Sequence, residues 1–275
     1  MDIKNKKASV AGFGKSGKAA AEILASFGCE VLISDSAPEN KFADLLKDMN
    51  TEKIKTEFGG NTENLWKGKD FIIVSPGVSI YSEQLQNAIK AGVPLIGEIE
   101  FSYMLAKAPV TAVTGTNGKS TTTSLIHKII SDSGIKSILA GNIGNPLSKE
   151  IMENPEAEAI TAEVSSFQLE TVSSFRPHIA ILTNITSDHT DRHRGFENYV
   201  SAKAKIFANQ TEEDYAILNA DDEEAVKISK TIKSKILWFS VEKEVSDGFF
   251  LKDGTIFKAS EGIFTQALPA DSIKL

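Results

Sequence analysis

Two glycine-rich junctions constrain this chain of 275 residues more than any other feature. At each, a short apolar run rich in small and β-branched residues, 8–11 and then 110–113, passes through a glycine loop into an amphipathic stretch. A strand that feeds a helix through a tight loop is the opening of a βαβ unit, and repeated units commit a chain to parallel sheet with helices packed on its faces. Around the first junction the alternation continues through 18–27, 31–33 and 71–74. Residues 94–96 read as a last short strand, and a helix-like stretch from Gly97 leads to Ala108-Pro109. A second series follows at 138–139, 159–164, 179–182, 215–218 and 236–239. Beyond Ser246, Asp253-Gly254 between two apolar runs reads as a hairpin. The pattern predicts an α/β protein. A Rossmann-like parallel-sheet domain is expected at 1–97, followed at 98–275 by a P-loop-type central ATPase domain whose series stops in what reads as mid-domain.

Composition narrows the function. Hydrophobic residues at 41% and charged residues at 24% exclude a disordered or low-complexity chain. A formal charge of -7 provides no general field for nucleic acid or anionic membrane, so neither is an expected partner and any phosphate binding is local. The single cysteine, Cys29, excludes an internal disulfide and a cysteine-based zinc cluster. No apolar run approaches the roughly 18 residues of a membrane span. A cytoplasmic enzyme or binding protein is expected.

The first loop, Gly12-Phe13-Gly14-Lys15-Ser16-Gly17, fits GxGxxG between a strand and a helix. Its glycines allow a tight turn and close backbone approach to phosphate, while the helix N-terminus offers unpaired N–H groups. Asp35 follows the second strand, where a carboxylate can accept bonds from a ribose. This motif does not distinguish a nicotinamide dinucleotide from another diphosphate ligand.

The second loop, 114–121, reads Thr-Gly-Thr-Asn-Gly-Lys-Ser-Thr. Backbone N–H groups there can wrap phosphates, Lys119 can reach the terminal ones, and Ser120 or Thr121 can ligate magnesium. Val113 stands where the GxxxxGK[ST] pattern has glycine, so the loop is a shorter variant. In the following helix Leu125, Ile126, Ile129 and Ile130 are expected to form one apolar face. Glu163 ends an apolar strand, so its carboxylate should emerge at the carboxyl edge of the sheet as a candidate magnesium ligand. Ser187 to Arg194 follows another strand at that edge, as a functional cluster or a solvated loop; His127 and His178 read as structural. Lys203 shares a helical stripe with Phe196, Tyr199, Ile206 and Phe207, while Lys205 points away. An inward lysine is either a snorkelling side chain or an amine whose pKa burial lowers, opening it to chemistry or modification.

Five motifs, 12–17, 75–78, 114–121, 163–170 and 188–192, with Gly141-Asn142-Ile143-Gly144 and Lys203, together resemble the Mur ligases of bacterial peptidoglycan synthesis. Ser-Ser-Phe-Gln-Leu-Glu combined with the N-terminal GxGxxG favours the D-glutamate-adding branch of that family. The resemblance implies an enzyme that joins D-glutamate to UDP-N-acetylmuramoyl-L-alanine with ATP, through an acyl phosphate. It implies that Lys15, Ser16, Gly17, Asp35, Ser36 and Gly77 bind the UDP substrate rather than NAD, with Asn142 and His189 near its muramoyl-alanine end. ATP would lie at Gly115, Thr116, Asn117, Gly118, Lys119, Ser120 and Thr121. Two Mg2+ ions would be held by Ser120 or Thr121, Glu163, His189 and a carbamylated Lys203. Lys119, Glu163, His189 and Lys203 would be the catalytic groups, in a cytoplasmic monomer. A third, C-terminal domain of the family binds the incoming amino acid and is not found in this sequence, so the expectation is that the chain does not ligate alone. The alternatives are a catalytically silent nucleotide-binding fragment and an NAD-dependent oxidoreductase, which would leave the second loop unexplained.

Overall fold

The computed structural model describes residues 2–47, 49, 52–187 and 193–273. Along the chain the elements are β1 (Lys7–Ala11), α1 (Lys15–Ser26), β2 (Glu30–Asp35), α2 (Ala43–Lys47), β3 (Ile54–Phe58), β4 (Phe71–Val74), α3 (Glu83–Lys90), β5 (Leu95–Gly97) and α4 (Glu98–Leu105). They continue with β6 (Val110–Thr114), α5 (Lys119–Asp132), β7 (Ser137–Gly141), α6 (Leu147–Glu153), β8 (Ala159–Glu163), α7 (Ser166–Leu169), β9 (Ile179–Leu182), α8 (Phe196–Ala204), β10 (Tyr215–Asn219), α9 (Glu223–Ser229), β11 (Lys235–Ser240), β12 (Gly248–Lys252), β13 (Thr255–Ser260) and β14 (Ile263–Pro269). Contacts group them into two compact units. One comprises Met1–Lys107, Ile138–Ala157 and Phe167–Phe175; the other comprises Ala108–Ser137, Glu158–Ser166 and Arg176–Leu275.

In the first unit five parallel strands run in the order β3-β2-β1-β4-β5. β4 shows why its sequence, Phe-Ile-Ile-Val, lacks alternation. Phe71 and Ile73 enter one core with Val10, Leu24 and Ile33, while Ile72 and Val74 enter another with Leu85 and Ala88, so both faces are buried. α1 lies on this sheet through Ala19, Ala20, Ala21, Ile23 and Leu24, whose small side chains permit a close approach. Gly28, at φ +85, takes the left-handed conformation that ends the helix. β3 is an edge strand of which only Ile54 is buried, and its Lys55, Thr56 and Glu57 give no apolar pattern to read.

The second unit carries β14-β13-β12-β11-β10-β9-β6-β8 as neighbours. Pairing is parallel from β8 to β12 and antiparallel from β12 to β14. The Asp253-Gly254 hairpin is present, with Lys252 opposite Thr255 and φ of 46 and 72 at the two turn residues. The apolar face expected on α5 is only partly covered: Leu125 is 43% and Ile129 60% exposed, Ile126 and Ile130 are half-buried, and Thr123 is the helix's one buried residue. The helix packs on β8 with Thr123 buried. Among the described residues no helix is long and apolar enough to cross a membrane.

Candidate functional site

A cleft of about 740 Å³ opens in the first unit. It lies where β1 separates β2 from β4, the point at which strand order reverses and open α/β sheets take ligands. Gly12 has φ +90, in the left-handed region, and Gly17 packs beneath the loop, where a Cβ would stand 2.0 Å from the Gly12 carbonyl oxygen. Gly14 precedes α1 without a side-chain cap, leaving the leading N–H groups of that helix to a ligand or water. The loop is pinned from three sides. Phe13 N–H donates to Asp35 Oδ2 at 2.7 Å, the Ser75 hydroxyl donates to the Gly12 carbonyl at 2.9 Å, and the Phe13 ring packs 5.4 Å from Phe42 and 5.6 Å from Phe58. Asp35 Oδ1 also accepts Ala37 N–H at 2.8 Å, so the carboxylate offered to a ribose is itself fixed.

Beyond β2, Ser34 donates to Asn61 Oδ1 at 2.8 Å and to Glu57 at 3.1 Å. Burial works to raise the Glu57 pKa, but donors from Thr62, Asn64 and Ser34 outweigh it and hold the carboxyl below its ordinary value. On the β4 side, Ser75 to Ser79 line the cleft together with Asn142 and Gln168, which belong to the two later segments of the unit.

The second loop is built differently. Gly115, at φ +148, would place a Cβ 1.9 Å from Thr183 Oγ1, and Gly118, at φ +81, caps α5 with open space around it. The end of β9 grips the loop: Thr183 Oγ1 donates to the Asn117 carbonyl at 2.7 Å, and Asn184 accepts from Asn117 N–H at 2.9 Å while donating to its carbonyl at 3.0 Å. Lys119 Nζ rests on the Thr116 carbonyl at 2.8 Å. Ser120 donates to Glu163 Oε2 at 2.6 Å, and Glu163 is 1% exposed. A hydroxyl and a carboxylate so placed are hard oxygen donors that fit Mg2+. Among the described residues no group of three His, Cys, Asp or Glu side chains forms a metal-holding cluster. Beside the loop a second cavity of about 560 Å³ is lined by Asn117, Gly118, Thr183, Asn184, Asn219 and Asp221 over an apolar floor of Ile181, Ile217 and Phe239.

Lys203 is 2% exposed, whereas Lys205 faces solvent, matching the periodicity. Its Nζ donates to the Gly115 carbonyl at 2.6 Å and lies 4.7 Å from the centre of the Tyr199 ring. The Tyr199 hydroxyl meets Thr116 Oγ1 at 3.0 Å, so α8 holds the loop from a second direction. His193 is buried against Tyr199 and bonds to Ser166 at 2.9 Å. His127 and His178 pair with Ser137 and Asp214, at 3.1 and 3.2 Å.

Of the residues singled out in the sequence, Lys15, Ser16, Asp35, Ser36, Gly77 and Asn142 line the first cleft. Gly17 lies under the loop, and Lys119, Ser120, Glu163 and Lys203 gather around the second loop with Thr116. Thr121 is exposed in the first turn of α5. His189, with Asp188 and 190–192, lies outside the described residues. Sequence reasoning missed Asn61 and the cavity residues Asn219 and Asp221. Their signal was position alone, at or just after the carboxyl end of a strand.

Comparison with known proteins identifies the family. A model described as the Mur ligase MurD-like N-terminal domain matches residues 6–97, and one described as the Mur ligase middle domain matches 113–272. A UDP-N-acetylmuramoylalanine--D-glutamate ligase of Koribacter versatilis is 44% identical over 94% of this chain and 57% of its own length. A protein of the same description from Acidobacterium capsulatum is 41% identical over 100% and 60%. The chain thus spans a little over half the length of these relatives. Among solved structures, a UDP-N-acetylmuramate:L-alanyl-gamma-D-glutamyl-meso-diaminopimelate ligase of Neisseria meningitides matches with a TM-score of 0.58 at 16% identity, covering 94% of this chain and 85% of that one. A UDP-N-acetylmuramate-alanine ligase of Thermotoga maritima matches at 0.54 and 21%, covering 95% and 60%; these two likenesses concern the fold.

Proposed function

This chain belongs to the Mur ligase family, and we propose that it takes part in the ATP-dependent addition of D-glutamate to UDP-N-acetylmuramoyl-L-alanine. The observation that carries the reading is the asymmetry of the two loops: both carry a lysine, but only the second has its lysine folded onto the loop's own carbonyl and a hydroxyl bonded to a buried carboxylate beside it. The names of the relatives supply the substrates. Domain limits of 1–97 and 98–275 belong to the proposal, supported by family matches that fall on either side of that boundary. A cytoplasmic, monomeric protein with small-molecule partners completes it.

The first cleft seats the UDP substrate. Lys15, Ser16 and the start of α1 face the diphosphate, with Gly17 allowing the loop to close. Asp35, Ser36 and Gly77 also serve the uridine diphosphate, while Asn142 and His189 are assigned to the muramoyl-alanine end. ATP is held at 115–121, its base and ribose in the neighbouring cavity. The substrate carboxylate attacks the γ-phosphorus and ADP leaves, giving an acyl phosphate. The D-glutamate amine then adds to the acyl carbon, and the tetrahedral intermediate expels phosphate. Two anions must meet in the first step, so Lys119 exchanges the Thr116 carbonyl for phosphate oxygens and neutralises charge as it develops. Two Mg2+ ions, held by Ser120 or Thr121, Glu163, His189 and Lys203 as its carbamate, supply further charge neutralisation when bound. A carbamate on Lys203 retains one N–H, which suits the bond to Gly115. A carbon signal from labelled bicarbonate that persists in Lys203→Ala contradicts this modification.

The reading of the first loop is tested by calorimetric titration with UDP-N-acetylmuramoyl-L-alanine in the presence of NADH. The substrate is expected to bind undisturbed; binding of NADH alone overturns the assignment.

A further inference from the structure

Glu98 stands at the junction of β5 and α4 and is 2% exposed. Donors from three segments reach its carboxylate. The Ser102 hydroxyl lies 3.2 Å and Ser148 N–H 3.4 Å from Oε1, and Gln168 Nε2 lies 3.2 Å from Oε2. Ser148 and Gln168 are 50 and 70 residues away in sequence, in the two later segments that join the first unit. Gln168 lines the cleft, and so does the loop that leads into α6, through Gly141, Asn142, Gly144 and Pro146. Glu98 itself stands behind this wall, among the residues around a smaller cavity. The buried Ser148 hydroxyl has no partner among the described residues, which leaves its backbone N–H as the polar tie to Glu98. Burial raises the Glu98 pKa, and the Ser148, Ser102 and Gln168 donors oppose that rise. An acid at such a position is costly except for the donors that it holds.

Strand order gives the cleft a direction. β2 and β3 put Asp35, Ser36 and Asn61 on one side, the glycine loop follows β1 in the middle, and β4 with the two later segments makes the other side. We propose that Glu98 is a positioning residue that fixes the wall formed by Gln168 and the 141–146 loop, and so sets affinity for the glycosyl part of a nucleoside-diphosphate sugar rather than for its nucleotide. The proposal rests on the assignment of this cleft to the UDP substrate.

The test titrates UDP and UDP-N-acetylmuramoyl-L-alanine separately into the whole chain and its variants. Glu98→Ala is expected to lose about tenfold in affinity for the sugar nucleotide and less than about twofold for UDP, the scale of one charge-assisted hydrogen bond. Glu98→Gln, which keeps an acceptor for Ser148 and lets the Gln168 amide turn over, is expected to recover most of the loss. Equal losses for both ligands, or none for either, overturn the proposal. If Glu98→Ala does not fold, Gln168→Ala carries the same readout, with the same result expected and the same results overturning it. A wild-type chain that does not bind the sugar nucleotide overturns the assignment of the cleft, and the proposal with it.

Discussion

The two glycine loops share a strand–loop–helix plan and differ in what surrounds it. In the first, Gly17 makes room for the Gly12 backbone and Gly12 for the Val78 and Ser75 side chains, and an aromatic cluster with Asp35 and Ser75 immobilises the turn. Its one lysine, Lys15, is exposed. In the second, Thr183, Asn184 and Tyr199 hold the loop from outside, and Lys119, Glu163 and Lys203 bring charge to it. On the proposed function, the same backbone device holds a phosphate in one place and prepares it for transfer in the other. The difference is set by side chains from β8, β9 and α8 rather than by the loop motif.

The sharpest way to break the comparison is to remove each loop's lysine. Lys119→Ala is expected to weaken Mg-ATP binding about 100-fold, the loss of a charge-assisted contact to phosphate, and to leave UDP-substrate binding within about twofold. Lys15→Ala is expected to cost the UDP substrate no more than about threefold, because an exposed charge is screened. Similar losses in calorimetric titrations of the two variants contradict the contrast.

Glycine replacements come next. Gly17→Ala drives a Cβ into the Gly12 carbonyl and is expected to destabilise the first unit by about 2 kcal/mol in urea unfolding. Gly118→Ala meets no atom and pays only for its left-handed φ, about 1 kcal/mol. The reverse order shows that the first loop is not packing-limited. Tyr199→Phe removes the bond to Thr116 and is expected to cost the second unit about 1 kcal/mol or less, with a modest loss of ATP affinity.

The smallest effect is on pH dependence, with opposite signs in the two units. Glu98 has a raised pKa from burial, so its contribution is full below the ordinary glutamate value and is lost as pH rises through the folded value. Burial also pushes Asp214 upward, but bonds from Arg176, Thr211 and His178 hold it below its ordinary value. Its contribution is present above that value and is lost as pH falls through the folded one. Glu98→Gln should therefore flatten the upper limb of the stability profile and Asp214→Asn the acid limb. Unchanged limbs in unfolding measured across the acid range refute the respective assignments.

Strands buried on both faces were legible, as at 71–74 and 179–182, because continuous apolar runs leave little choice of element. Both loops and the inward Lys203 were legible from local spacing. β3 was not, since an edge strand reading Ile-Lys-Thr-Glu-Phe buries one residue and carries no period. The α5 stripe misled because the one side chain the helix buries is Thr123, while Leu125 and Ile129 stay exposed. Glu98 was silent for a different reason: its partners Ser148 and Gln168 come from distant segments, and no local pattern encodes their arrival.

The central claim, that the two loops hold different ligands, is tested most directly by calorimetric titration of UDP-N-acetylmuramoyl-L-alanine into the chain with and without saturating Mg-ATP. The account predicts that each ligand binds at one site and that ATP does not displace the UDP substrate. Displacement of one by the other contradicts it.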